Sequence, residues 1–184
     1  MAVLAEPGAP DTTPGSGRLL LFALVAAGVV VADQAGKAWA VAAWKTGTRT
    51  GVGPLGAPLL RNPGASFGLG APWTLLISVV TLVAVPLLVV AGLRSRGRVT
   101  VAALALMAGG AAGNGLDRLL RAPGPLRGAV VDWIKVPGYP AVFNLADVAL
   151  RLGALLVLVA ALSGWRGRTR HGSGTADPAP LPRS

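Results

Sequence analysis

The chain has 184 residues, 53% of them hydrophobic and only 13% charged, with a mean hydropathy of +0.62. A soluble domain of this length carries roughly a quarter charged residues, so the composition places the chain among membrane proteins. No cysteine and a single histidine exclude a disulfide framework, thiolate chemistry and the usual histidine-based triads. The net charge of +10 resides on the flanks of apolar segments, without a basic stripe interleaved with aromatics, which excludes nucleic acid as the partner.

Residues 1–17 are rich in Pro, Gly and Ala without amphipathic period and read as a disordered cytoplasmic tail. They lack the basic start of a signal peptide. Four apolar spans follow, at 19–44, 73–93, 99–116 and 141–162, each near the roughly 20 residues a bilayer crossing needs. Pro86 interrupts the second span and frees a backbone carbonyl there. Arg94, Arg96 and Arg98 form a tight basic turn, and Arg166, Arg168 and Arg170 follow the fourth span, as cytoplasmic anchors do. The connections at 45–72 and 117–140 are longer, and Gly and Pro in the first favour turns or short strands. Residues 164–184 read as a second disordered tail, leaving 18–163 as the membrane domain.

Of seven acidic residues, Asp33, Asp117, Asp132 and Asp147 lie in or beside stretches otherwise suited to lipid. A carboxylate at such depth is costly, so each marks a candidate functional site. Asp33 and Lys37 stand at i and i+4 and can meet on one helix face, as can Asn114 and Arg118 with Asp117 between them. Asn144, Asp147 and Arg151 form a third stripe. With the N-terminus cytoplasmic, four crossings bring all these polar groups to the outer membrane face. Asp132 lies in the apolar run Val130-Val131-Asp132-Trp133-Ile134, where burial raises a carboxyl pKa. Beside Asp147, it would share one proton near neutral pH and support aspartic-protease chemistry. Two other readings stay open: a proton relay through Asp33, Asp117 and Asp147, and a transferase with aspartate-bound Mg²⁺.

Five segments together resemble the signal peptidase II family: Asp33-Gln34-Ala35-Gly36-Lys37, Arg61-Asn62-Pro63-Gly64-Ala65-Ser66-Phe67-Gly68, Gly109 to Arg118, Val131-Asp132-Trp133, and Phe143-Asn144-Leu145-Ala146-Asp147. Ser66 and Trp133 depart mildly from the family pattern. The resemblance implies an all-α membrane protein of four transmembrane helices, with a small extracytoplasmic β-cradle and a short surface helix after the third span. It implies that Asp132 and Asp147 are the catalytic dyad, and that Asn62, Gly64, Asn114, Arg118 and Asn144 surround it and hold substrate or the aspartates. Asp33 and Lys37 would support the pocket, as would Asp117, paired with Arg118 or Arg121. The implied enzyme is an aspartic endopeptidase of the bacterial cytoplasmic membrane, monomeric, with both termini cytoplasmic. It would use no cofactor and no metal, act on diacylglyceryl-prolipoproteins amid membrane lipid, and bind globomycin-type inhibitors.

Overall fold

The computed structural model describes residues 15–44, 59–64 and 70–171. Of the tails expected at 1–17 and 164–184, residues 1–14 and 172–184 lie outside the described residues, as do most of the first long connection and the departure at Ser66, whereas Ser16 and Gly17 already belong to the first helix. Four long helices form: α1 (Ser16–Trp44), α2 (Thr74–Arg94), α3 (Arg98–Leu120) and α4 (Leu145–His171). All four are long and apolar enough to cross a membrane. Leu, Val, Ala and Gly dominate them, and large side chains such as Leu24, Val31, Leu76, Leu87 and Leu158 point outward, where lipid rather than water satisfies them.

α3 is the centre of the bundle and packs against the other three helices, whereas α2 and α4 meet mainly through it. Its glycines make this possible. A Cβ at Gly110 would come within 2.5 Å of the Ala146 carbonyl of α4, and one at Gly113 within 2.7 Å of an Asp33 carboxylate oxygen of α1. Phe22, Val101, Ala105 and Ala108 form an apolar cluster toward the other end of the bundle. There Arg18 donates to the Ser95 carbonyl in the turn between α2 and α3.

The opposite end carries two small antiparallel sheets. β1 (Leu60–Asn62) pairs with β2 (Val130–Asp132), with Leu60 opposite Asp132 and Asn62 opposite Val130. β3 (Ile134–Lys135) pairs with β4 (Val142–Phe143), and the Trp133 N–H donates to the Phe143 carbonyl between them. The cradle is thus built jointly by both long connections.

Three local expectations need correction. No surface helix follows the third span. Residues 121–129 run as turns instead, because Pro123 and Pro125 supply no N–H to continue a ladder. The segment is closed by Gly128 N–H on the Arg118 carbonyl and Ala129 N–H on the Ala122 carbonyl. Second, α4 starts at Leu145 rather than 141, since Val142 and Phe143 are committed to β4. Asn144 then caps the helix, its side-chain oxygen accepting the Asp147 N–H at 2.9 Å. Third, α4 continues to His171 through residues 164–171, which the sequence reading assigns to the tail.

Candidate active site

The cradle end of the bundle buries a group of ionisable side chains that would be prohibitively costly unpaired. Asp33, Lys37, Asp117 and Asp132 are all at most 1% exposed. Lys37 of α1 holds the group together. Its ammonium lies 2.7 Å from Asp33 and 2.8 Å from Asp117 of α3, and it donates to the Asn114 side-chain oxygen at 3.0 Å. Three donors therefore meet three acceptors. Asp117 is completed by Arg121 at 2.6 Å and by the Val131 N–H at 3.1 Å, which ties β2 to α3. The other Asp33 oxygen accepts the Ala146 N–H in the first turn of α4 at 3.0 Å. One cationic side chain thereby orients α1, α3 and α4 together.

From this base the network rises to Asp132 and Asp147. Asn114, its oxygen engaged by Lys37, can turn only its amide N–H toward Asp147, and donates at 3.0 Å. Asn144 bridges the two aspartates: its amide donates to Asp132 at 2.7 Å while its oxygen caps Asp147. Asn62 donates to the second Asp132 oxygen at 3.1 Å, and its own oxygen accepts the Gly64 N–H at 2.9 Å. Asp132 is therefore held on both oxygens. Asp147 is held on one, and its other oxygen accepts no hydrogen bond among the described residues.

Arg118 fixes the backbone around this pair. Its guanidinium donates to the carbonyls of Asn62, Pro63 and Gly128 at 3.2, 2.9 and 3.0 Å, and to that of Gly64. A planar fork of five donors is suited to several carbonyls at once, which an ammonium is not. Arg118 is thus a staple between two loops, and Asp117 pairs with Arg121 instead.

Burial is the largest influence on Asp132 and pushes its carboxyl up to about 6, assisted by the charge of Asp147 and opposed by Asn62 and Asn144. Both carboxyl groups face a cavity of about 280 Å³ in the gap between α2 and α4. Its far wall is apolar, from Ile77, Val80 and Ala84 of α2 and Leu150 of α4. Thr81 and Arg151 add polarity.

All ten residues singled out from the sequence as catalytic or supporting lie in this one hydrogen-bonded assembly. Two residues outside those ten also contribute: Gln34, which stands in a quoted segment without an expected role, and Arg151, expected only as part of the α4 polar stripe. Gln34, next to Asp33, donates to the Gly113 carbonyl at 2.9 Å and to Asp33 and Asp117. Arg151 completes the polar stripe of α4. A lone amide or guanidinium inside an apolar span was the available signal for both.

Fold and site together define a multi-pass membrane protein with a polar, two-aspartate cavity opening between its helices. A match to the signal peptidase (SPase) II family extends over residues 25–163. The chain is 40% identical over 149 residues to a lipoprotein signal peptidase of Bifidobacterium longum subsp. infantis, covering 80% of this chain and 81% of that one. A lipoprotein signal peptidase of Rhodococcus jostii is 40% identical over 158 residues, 84% of this chain and 78% of its own. A bacterial membrane enzyme structure solved by the in meso method at 2.3 Å superposes with a TM-score of 0.63 at 25% identity, covering 92% of this chain and 98% of that one. The chain belongs to the signal peptidase II family.

Proposed function

We propose that the protein is a membrane aspartic endopeptidase that removes signal peptides from diacylglyceryl-modified prolipoproteins, cutting on the N-terminal side of the lipidated cysteine. The observation that carries this reading is the pair Asp132 and Asp147 on one cavity, bridged by Asn144. A water between the carboxyl groups loses a proton to the ionised member as its oxygen attacks the scissile carbonyl. The protonated member donates to the carbonyl oxygen, and the amine leaves with a proton from the pair. Water and peptide are consumed, and acid and amine are formed. Asn62, Asn114 and Asn144 hold the carboxyl groups in register, so little reorganisation is needed at the moment of reaction.

The position of the cavity suits a substrate that stays in the bilayer. It lies in the gap between α2 and α4, so an apolar segment can reach it from the side, and the apolar α2 wall matches such a segment. We place both termini and the Arg94–Arg98 turn in the cytoplasm, with the cradle and the cavity at the outer face. The competing readings fare less well. A proton relay needs acceptors through the depth of the bundle, whereas the apolar cluster of Phe22, Val101, Ala105 and Ala108 occupies the other end. A Mg²⁺ site needs several open carboxylates, whereas Asp33 and Asp117 are engaged by Lys37 and Arg121 and both Asp132 oxygens by Asn62 and Asn144, which leaves, among the described residues of the site, one open oxygen on Asp147. The test is incubation of the purified protein with a lipobox peptide carrying diacylglycerol on its cysteine, beside the same peptide unmodified. Cleavage of the lipidated peptide alone is expected, and equal cleavage of both would remove the lipid requirement from the proposal.

A further inference from the structure

A second, more open groove of about 460 Å³ lies between the β3–β4 hairpin and α4. One wall is the stripe Val148, Leu152 and Leu155 of α4, spaced so that all three share a helix face. The other is formed by Val136, Tyr139 and Phe143. Tyr139 and Phe143 are stacked edge to face at 5.8 Å, and Lys135 secures the turn by donating to the Tyr139 carbonyl. Val148, Leu152 and Leu155 are exposed, as residues facing lipid are.

One charge interrupts this apolar surface. Arg151 is exposed, within the membrane-spanning part of α4, and lines the groove. Its guanidinium carbon lies 5.7 Å from the centre of the Phe143 ring, and no carboxylate among the described residues lies within ion-pair distance of it. It stands six positions after Leu145, the start of α4, about 9 Å along the helix. Helical side chains lean toward the N-terminus, so the guanidinium is carried back to the level of Phe143, at the membrane boundary. A cation at that depth, with no described carboxylate in ion-pair contact, above an apolar groove running along α4, matches one kind of molecule. The complementary ligand has an anionic phosphodiester at the guanidinium and an acyl chain along the groove.

We propose that Arg151 and the Val148–Leu152–Leu155 groove form a binding site for a phospholipid of the surrounding leaflet, with its phosphate on Arg151. Arg151 also borders the catalytic cavity, so the bound lipid forms part of the cavity's rim on the α4 side.

The site is tested without any reference to cleavage. The full-length protein in detergent is titrated with phosphatidylglycerol, and lipid retained per chain is read by native mass spectrometry. Dioleoylglycerol, which has the chains without the phosphate, and millimolar inorganic phosphate as a competitor separate the two halves of the ligand. The expected result is one tightly retained phosphatidylglycerol, with Arg151→Gln needing roughly tenfold more lipid for the same occupancy. Arg151→Lys is expected to recover much of the loss, and Leu152→Trp to weaken binding by filling the groove while the cation remains. Dioleoylglycerol is not retained and phosphate alone displaces nothing. Equal retention by Arg151→Gln and the parent, or dioleoylglycerol held as well as phosphatidylglycerol, overturns the phosphate assignment. Displacement by inorganic phosphate, or full binding by Leu152→Trp, overturns the groove. Should Arg151→Gln not remain monodisperse, Leu152→Trp and the dioleoylglycerol comparison decide.

Discussion

Replacing Lys37 by Met separates the account's two halves, stability and alignment of the site. In the parent, the ammonium contacts carboxylates at 2.7 and 2.8 Å with all three groups at most 1% exposed. At an effective dielectric of about 20, each contact is worth about 6 kcal/mol. Taking the ions out of water costs several kcal/mol each, which cancels much of that attraction. Removing only the cation leaves much of the desolvation of Asp33 and Asp117 uncompensated, with Arg121 the one cation still in contact with Asp117 among the described residues. The expected loss is about 3–5 kcal/mol. Its measure is the shift in the denaturation midpoint of the detergent-solubilised protein, followed by tryptophan fluorescence. Adding Asp33→Asn removes one stranded charge, so the double variant is expected to be more stable than Lys37→Met alone. Activity carries a second readout. Without Lys37 the Asn114 amide is free to turn over and withdraw its hydrogen bond from Asp147, worth about 1 kcal/mol or roughly fivefold in kcat. A Lys37→Met protein within about 1 kcal/mol of the parent would refute the reasoning, since it would mean that these carboxylates are not held charged by Lys37.

Three other predictions concern pH, the loop staple and metals. The folded protein binds the Asp132 proton more tightly than the unfolded chain, about 6 against the ordinary 3.8, so stability falls as pH rises from about 4 through 6. The cost is about 3 kcal/mol above that range, and denaturation midpoints across pH should show a flatter profile for Asp132→Asn. In the same region kcat/KM is expected to decline on the alkaline side with an apparent pKa near 6 belonging to the pair, and a flat profile from pH 5 to 8 would contradict the shared proton. Arg118→Lys gives up a fork that serves four carbonyls, and is expected to cost about 2–4 kcal/mol locally. Hydrogen exchange should accelerate at Gly64 and Gly128 while the helices stay protected, and unchanged exchange there would remove Arg118 as the staple. EDTA should leave cleavage intact because Asp33 and Asp117 are occupied by cationic side chains, whereas loss of activity restored by Mg²⁺ would favour metal chemistry.

The four helices were legible because length and hydropathy alone decide whether a segment can cross a bilayer. Asp33 with Lys37 was legible for a similarly local reason, the four-residue helical spacing. Contacts between helices were not. That Lys37 also reaches Asp117 and Asn114 depends on how closely α1 approaches α3, which Gly113 permits without naming a partner. Arg118 was expected to find a side chain or the substrate. It binds backbone carbonyls, which every residue possesses and which therefore leave no mark in sequence. The start of α4 was misplaced because Val142 and Phe143 are as apolar as a helix but pair with β3. In hindsight Asn144, a strong N-cap residue, marks the boundary. The turns at 121–129 were signalled by Pro123 and Pro125, a local cue that the family expectation of a surface helix overrode.

The most direct measurement is cleavage of the diacylglyceryl lipobox peptide by the parent, Asp132→Asn and Asp147→Asn proteins side by side, with products sized by mass spectrometry. The account predicts a single cut before the lipidated cysteine by the parent, and rates lower by at least about 10³-fold in both variants, which stay folded and membrane-bound. Either variant cleaving at a rate close to the parent's would contradict the claim that these two carboxyl groups activate the water.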